Sequence, residues 1–271
     1  FNTDHNLTTY TYLYPESGSS VSESEIVEHI SQGVGFGNYT AHCGPTGWAD
    51  PSFTVSDVPG LYNNNKYNLM IGNCCTSTAF DVNSFGEAVL QVENRGAVGY
   101  IGGTNSTYWN EDFWWGVGAG TVSANPTYEA TGSGVYDGVF HENGEDEAKW
   151  FIVNDAITMA GNLAVVEAGG SLISYYWEIY HNMGDPSVMT YMGFPDENNV
   201  NHLPILQIGT DVFTVSADPY SHIAISMNGV LYGSAFTGEQ STVDVNLIPF
   251  EIAGTASVVV TGQNKQPYFG T

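Results

Sequence analysis

The sequence predicts an α/β fold built on a parallel sheet, followed by a small antiparallel β-sandwich. Three observations carry this prediction. Compact apolar runs alternate with helical periodicity as far as Pro195, the order that lays helices on the faces of a parallel sheet. From about His202 the rhythm changes to short alternating segments separated by the turn pairs Asn228-Gly229, Thr237-Gly238 and Ala253-Gly254. With 42% hydrophobic and 13% aromatic residues, a chain of 271 residues can bury a sizeable core, which excludes a disordered protein.

Ser22-Glu-Ser-Glu25 opens an apolar pattern at Ile26, Val27 and Ile30 that closes at Gly33, as a capped short helix would. Residues 34–40 then read as a strand that stops at Ala41-His42-Cys43-Gly44, so His42 falls on a loop at a strand's C-terminal end. Open α/β sheets place their active sites there. A helical or turn segment over 55–61 leads to a second apolar strand, 67–71, ending at Gly72-Asn73-Cys74-Cys75. Phe85, Ala88, Val89 and Val92 mark one face of a helix closed by Gly96, and 97–101 forms a third strand running into a loop of Gly, Asn and Ser. Trp150, Val153, Ile157, Ala160 and Ala164 predict a long helix within 145–168, and 172–180 predicts another. Residues 196–201 are the expected linker, and 213–217, 222–226 and 257–261 are strands of the terminal sandwich.

The balance of 29 acidic against 4 basic residues gives a net charge of −25, which repels nucleic acid and anionic membrane surfaces and excludes both as partners. Only 12% of residues are charged, so polarity comes mostly from Gly, Ser, Thr and Asn, a profile that suits a secreted, strand-rich protein. No stretch approaches the roughly 20 apolar residues of a membrane span. No signal peptide precedes Phe1, and the expectation is a soluble chain, already processed. Three cysteines, Cys43, Cys74 and Cys75, are too few and too clustered for a disulfide framework, and their odd number leaves at least one free or paired with another chain.

A thiolate nucleophile needs a base or cation beside it and an exposed position from which to attack a carbonyl. His42 and Cys75 meet both needs if neighbouring parallel strands carry them, because adjacent strands lie only about 5 Å apart. The backbone N–H groups of Cys43 and Cys75 would then form an oxyanion hole. On these residues alone, a buried cysteine and an incidental histidine are the plainer reading.

Longer motifs weigh against that plainer reading. Asn38-Tyr-Thr-Ala-His-Cys-Gly, Trp48-Ala-Asp-Pro, Ile71-Gly-Asn-Cys-Cys, Phe85-Gly-Glu, Ala97-Val-Gly-Tyr-Ile-Gly, Tyr108-Trp-Asn-Glu-Asp-Phe-Trp-Trp, Tyr176-Trp-Glu and Gly184-Asp-Pro-Ser-Val-Met occur in this order along the chain. In these motifs the sequence resembles the gingipain family of cysteine peptidases (family C25), most closely the lysine-specific branch. The resemblance implies a caspase-like three-layer α/β/α sandwich, here the C-terminal part of a catalytic domain over 1–196, and an immunoglobulin-like β-sandwich over 202–271. It implies a secreted or cell-surface cysteine endopeptidase that cleaves protein or peptide substrates after basic residues, Lys before Arg. The family's histidine falls on His42 and its nucleophile on Cys75, with Cys74 a buried, small apolar neighbour. The acid of the specificity pocket falls on Asp112, with Trp109 as an aromatic wall and Thr40 and Asn73 lining the pocket. A carboxylate beside an aromatic face recognises an ammonium by charge pairing and cation–π attraction, whereas the competing role for Asp112 is to cap a helix or hold a structural ion. No cofactor is implied for catalysis, and structural calcium is, with no ligands assignable from spacing.

The pattern departs from the family in two places. Cys43 stands where the family carries Gly, and it can form a disulfide with Cys75, silencing the nucleophile, or with Cys74. A metal site from His42, Cys43 and Cys75 lacks regular ligand spacing. The resemblance is already running at Phe1, so the expectation is either a fragment or a chain cleaved from an associated N-terminal chain, with the missing first half of the catalytic domain covering an exposed sheet edge or face. The rival to an enzyme is a catalytically impaired relative acting as a cell-surface binding or assembly subunit.

Overall fold

In the computed structural model, which describes residues 8–12, 23–140, 143–144, 153–191 and 194–271, the apolar runs of the first half become strands and the periodic segments between them become helices. The chain divides into two units at residues 192–193.

Helix α1 (Glu23–Gly33) carries Glu23 and Glu25 in its first turn, where the positive end of the helix dipole favours them, and buries Ile26 and Ile30. Strand β1 (Phe36–Thr40) follows. Immediately after His42 the chain makes an unexpected meander of short strands, β2 (Cys43–Gly44), β3 (Gly47–Ala49) and β4 (Ser52–Thr54). The meander turns at Gly47, whose φ of 136° and close approach to the Phe53 backbone leave no room for a side chain. Only Val58–Gly60 of the segment expected at 55–61 is helical, as one 3₁₀ turn. Strand β5 (Asn68–Asn73), helix α2 (Phe85–Gln91), strand β6 (Ala97–Gly103) and helix α3 (Trp109–Val117) alternate as the periodicity predicts. Helices α4 (Tyr128–Thr131), α5 (Val135–Phe140), α6 (Asn154–Ala168) and α7 (Ile173–Ile179) complete the helical set, and β7 (Tyr180–Gly184) ends it. Of the helix expected within 145–168, residues 145–152, including Trp150, lie outside the described residues.

The sheet runs β1-β5-β6-β7, with β1, β5 and β6 parallel and β7 antiparallel at the edge. Because successive strand residues point to opposite faces, Met70 and Tyr100 join one core with Ile26, Ile30, Phe85 and Val89. Leu69, Ile71 and Ile101 join a second core with Trp115, Val139, Ile157 and Tyr176. Helices α1 and α2 therefore cover one face, and α3, α5, α6 and α7 the other.

The second unit has short strands β8 (Asp196–Glu197) and β9 (Asn201–His202), then β10 (Val212–Ser216), β11 (Ser221–Met227), β12 (Val230–Phe236) and β13 (Thr242–Asn246). It closes with β14 (Ser257–Gly262), β15 (Lys265–Gln266) and β16 (Tyr268–Gly270). Antiparallel sheets β13-β10-β9 and β12-β11-β14-β16 share a core of Phe213, Val215, Ile223, Ile225, Val245, Val258 and Val260. The β11–β12 turn is Asn228-Gly229, at φ 52° and 77°, values that favour Asn and Gly in tight hairpins. Residues 196–201 are not a free linker. Asp196–Glu197 pairs with Lys265–Gln266, Asn201 pairs with Ser216, and Asn198 Nδ2 donates to Ser221 Oγ at 2.9 Å. Backbone pairing outweighs the polar composition that reads as a spacer. Among the described residues no helix is long and apolar enough to cross a membrane.

Contact between α3 and α6 rests on Gly161, where an added Cβ would lie 2.3 Å from the fully buried Trp115 ring. Helix propensity alone favours Ala over Gly by about 1 kcal/mol. Overpacking reverses that sign, and Gly161→Ala is expected to lose ~1–3 kcal/mol in urea unfolding. A stabilised variant would contradict this packing.

Candidate active site

Strands β1 and β5 are paired in parallel with Thr40 level with Asn73, and β6 runs beside β5 in the same direction. The segments leaving all three strands therefore emerge at one end of the sheet. His42 follows β1, Cys75 follows β5, and residues 104–108 lead from β6 into α3.

The main chain at His42 is fixed, because its carbonyl accepts from the Tyr39 hydroxyl at 2.5 Å and from the Ala49 N–H at 3.1 Å. Its exposed imidazole meets the Trp109 ring edge-on, with centroids 5.2 Å apart. The half-buried Cys75 thiol is held by Thr107, whose N–H donates to Sγ at 3.3 Å and whose carbonyl and hydroxyl oxygens lie at 3.8 Å. Thr107 and Trp109 are two residues apart at the start of α3, so one short segment contacts both the thiol and the imidazole.

The sequence left the partner of Cys43 open. Cys43 is bonded to Cys74, with a Cα–Cα distance of 5.6 Å, and Cys75 is the free cysteine. One expectation is corrected, since Cys74 is half of a disulfide rather than an inert buried thiol, and of the two pairings left open for Cys43 the one that spares Cys75 is formed. The physical reason is packing: beyond the last register pair of β1 and β5, Thr40 with Asn73, Cys43 packs against the same core that holds the buried Cys74. On the chain-entropy account, a bridge across this sequence separation of 31 stabilises the fold by about 3–4 kcal/mol. The disulfide sulfur of Cys43 has no proton to donate, so its 2.7 Å approach to the Cys75 carbonyl is a sulfur–oxygen contact. Cys43 faces Trp48 across the β2–β3 pair, and the Ala49-to-His42 hydrogen bond marks them as a non-hydrogen-bonded pair. The ladder therefore leaves the Cys43 N–H unused.

Asp112 lies in α3 and is only 6% exposed. Hydroxyls surround its carboxylate: Thr107 donates to Oδ2 at 2.6 Å, and Tyr176 and Tyr180 donate to Oδ1 at 2.8 and 3.0 Å. Asn73 Nδ2 donates to its main-chain oxygen at 2.9 Å, and Asn73 Oδ1 also meets the Tyr180 hydroxyl. Burial raises the Asp112 carboxyl from the ordinary 3.8 to about 6, with the three hydroxyls pulling it back and Glu111 adding to the rise. Burial and the Asp112 charge in turn push the Tyr176 and Tyr180 phenols up. Asp112 does not cap α3, whose N-cap is Tyr108. Thr40, exposed at the end of β1, shares a 3.3 Å contact with the Tyr136 hydroxyl, which donates to Asn38 at 2.9 Å.

The structure thus gathers Thr40, His42, Cys43, Asn73, Cys75, Trp109 and Asp112 at one sheet end. Thr107, Tyr136, Tyr176 and Tyr180 escaped the sequence reading. No local pattern marks them, since Thr107 precedes α3, Tyr136 lies in α5, and Tyr176 and Tyr180 lie on different elements, α7 and β7. Among the described residues no group of three or more His, Cys, Asp or Glu side chains is placed to hold a metal ion.

Residues 1–191 match the model of peptidase family C25. Lys-gingipain of Porphyromonas gingivalis is 39% identical over 98% of this chain, which spans only 15% of that relative's length. A solved structure described as "Structure of Protease" superposes with a TM-score of 0.83 at 38% identity, over 90% of this chain and 55% of the other. The Arg-specific cysteine proteinase gingipain R shares the fold, with a TM-score of 0.77 at 19% identity, over 93% of this chain and 56% of that one.

The raised carboxyl of Asp112 makes stability depend on pH. The unfolded chain releases this proton near 3.8 and the folded protein near 6, so between these values the native state binds more protons and stability falls as pH rises. The loss is complete above about 6 and amounts to ~1–3 kcal/mol. Asp112→Asn is expected to flatten this part of the curve in urea unfolding measured from pH 4 to 7. An unchanged slope would place the titration elsewhere.

Proposed function

Because the chain belongs to peptidase family C25, we propose that it carries the catalytic centre of a secreted cysteine endopeptidase that cleaves after basic residues, Lys in preference to Arg. The observation that carries the reading is a free thiol, Cys75, joined through Thr107 to a buried carboxylate, Asp112, that hydroxyls rather than a basic side chain surround. A substrate ammonium entering beside Asp112 supplies the missing opposite charge, and the Trp109 face adds cation–π attraction. Thr40 and Asn73 border that pocket.

In this reading His42 takes the Cys75 proton and the thiolate attacks the scissile carbonyl carbon. The N–H groups of Cys43 and Cys75 donate to the developing oxyanion, and the unused N–H of Cys43 supports that role. Collapse of the tetrahedral adduct breaks the C–N bond. His42 returns its proton to the leaving amine, leaving a thioester on Cys75. Water, deprotonated by His42, then releases the acid and regenerates the thiol.

The non-catalytic reading drew its support from a Cys43 able to block Cys75, and the free state of Cys75 supports the catalytic one. Helices on both faces of the first sheet support a caspase-like three-layer core, and the paired antiparallel sheets of the second unit support an immunoglobulin-like sandwich. The chain spans 55% of the similar protease structure, which supports a complete catalytic unit that includes an associated further segment.

Incubation with a lysyl chloromethyl ketone should alkylate Cys75, and Cys75→Ala or His42→Ala should abolish the adduct. Asp112→Asn should lower the preference for Lys over a neutral residue ~10–100-fold, the worth of a charge-assisted bond. Absence of an adduct, or a preference untouched by Asp112→Asn, would contradict the assignment.

A further inference from the structure

We propose that the Cys43–Cys74 disulfide is a positioning element of the catalytic centre, a covalent tie that sets the imidazole of His42 against the thiol of Cys75. It rests on the peptidase reading for the roles of those two residues, and on the structure for the tie itself. Each half-cystine is the immediate sequence neighbour of one member of the pair, Cys43 following His42 and Cys74 preceding Cys75. A disulfide placed only for stability has no reason to sit at both positions.

The sheet stops short of the catalytic residues. The last register pair of β1 and β5 is Thr40 with Asn73, so hydrogen bonds between the strands do not hold residues 41–43 to residues 74–75. Each loop instead turns into its own surroundings. The Cys74 N–H folds back onto the Gly72 carbonyl at 2.8 Å, and the Thr76 N–H leaves toward the Asn105 carbonyl at 3.0 Å, whereas His42 is anchored to Ala49 of the meander. The His42 imidazole itself meets the segment that holds the thiol through Trp109, which is 61% exposed. The disulfide closes this gap. On one side it grips the meander, rooted in the core by Trp48 and Phe53, and on the other Cys74, which is 1% exposed at the end of the buried strand β5. Cys43 Sγ also touches the Cys75 carbonyl at 2.7 Å, so the tie bears directly on the nucleophile's main chain.

Proton transfer and attack require reacting groups held to within a fraction of an ångström, and a misplacement of about 1 Å can lower a rate ~10²-fold. Glycine at position 43, as in the family pattern, leaves this alignment to noncovalent packing. Here a bond fixes it, and the bond is reducible. A dithiol transfers two electrons to the disulfide, yielding the Cys43 and Cys74 thiols and its own cyclic disulfide. Reductant therefore acts twice, keeping Cys75 as the thiol and cutting the tie beside it.

The test compares wild type with the Cys43→Ala/Cys74→Ala double variant on a fluorogenic lysyl peptide, and measures alkylation of Cys75 by iodoacetamide at pH 7 together with thermal unfolding. The expected result is a kcat at least ~10-fold lower with KM little changed and slower alkylation of Cys75. A variant that is less heat-stable but keeps its kcat and alkylation rate has lost only a structural brace and overturns the proposal. If the variant does not fold, titrating wild type with dithiothreitol decides: activity should fall as mass spectrometry shows the Cys43–Cys74 bond opening while Cys75 stays reduced. Activity that survives full reduction overturns the proposal. A wild type that cleaves nothing, yet whose Cys75 alkylates faster with the bond intact than open, overturns the peptidase reading and upholds the positioning role.

Discussion

Parallel pairing of β1 with β5, in a register that levels Thr40 with Asn73, is the constraint from which the rest of the site follows. Two strands that run side by side and end at the same height release their chains together, so an imidazole and a thiol separated by a meander and a long loop emerge as neighbours. A shift of one residue would turn Cys74 outward and bury Cys75, exchanging the disulfide partner for the free thiol. Just past this last pair, the Cys43–Cys74 bond links the two emerging segments.

The second constraint is electrostatic. A chain with net charge −25 has little reason to bury another carboxylate, yet Asp112 is buried, and hydroxyls from Thr107, Tyr176 and Tyr180 satisfy it. Neutral donors keep the group folded without discharging it, so burial still holds the carboxyl near 6. The proposed specificity uses this uncompensated acid as the partner of a substrate cation. Thr107 connects this acid to the thiol with one residue, through its hydroxyl on one side and its N–H on the other.

How far the sequence revealed this depends on whether each feature is local. Strands β5 and β6 are compact, largely buried runs with glycine near their C-terminal ends, so they stand out, as do the helix at Phe85 and the Asn228-Gly229 hairpin. The meander after His42 was invisible because strands of two or three residues carry no periodicity. Strand β7, Tyr-His-Asn-Met-Gly, is polar and continues directly from α7, so its first residue read as the end of a helix and the rest carried no strand signal. His42, Cys75 and Asp112 were legible through motifs. The tyrosines around Asp112 were not, because they reach it from α7 and β7, far along the chain. The partner of Cys43 could not be read at all, since two adjacent candidates differ only by the strand face each occupies.

That distribution of the three sulfurs matters most, because both the proposed catalysis and the proposed alignment need a free Cys75 beside a closed Cys43–Cys74 bridge. Peptide mapping of the unreduced protein, alkylated before digestion and sequenced by fragment ions fine enough to separate Cys74 from Cys75, reads it directly. The account predicts the alkyl label on Cys75 alone and a fragment linking Cys43 to Cys74. A label on Cys43 or Cys74, or a fragment linking Cys43 to Cys75, would contradict it.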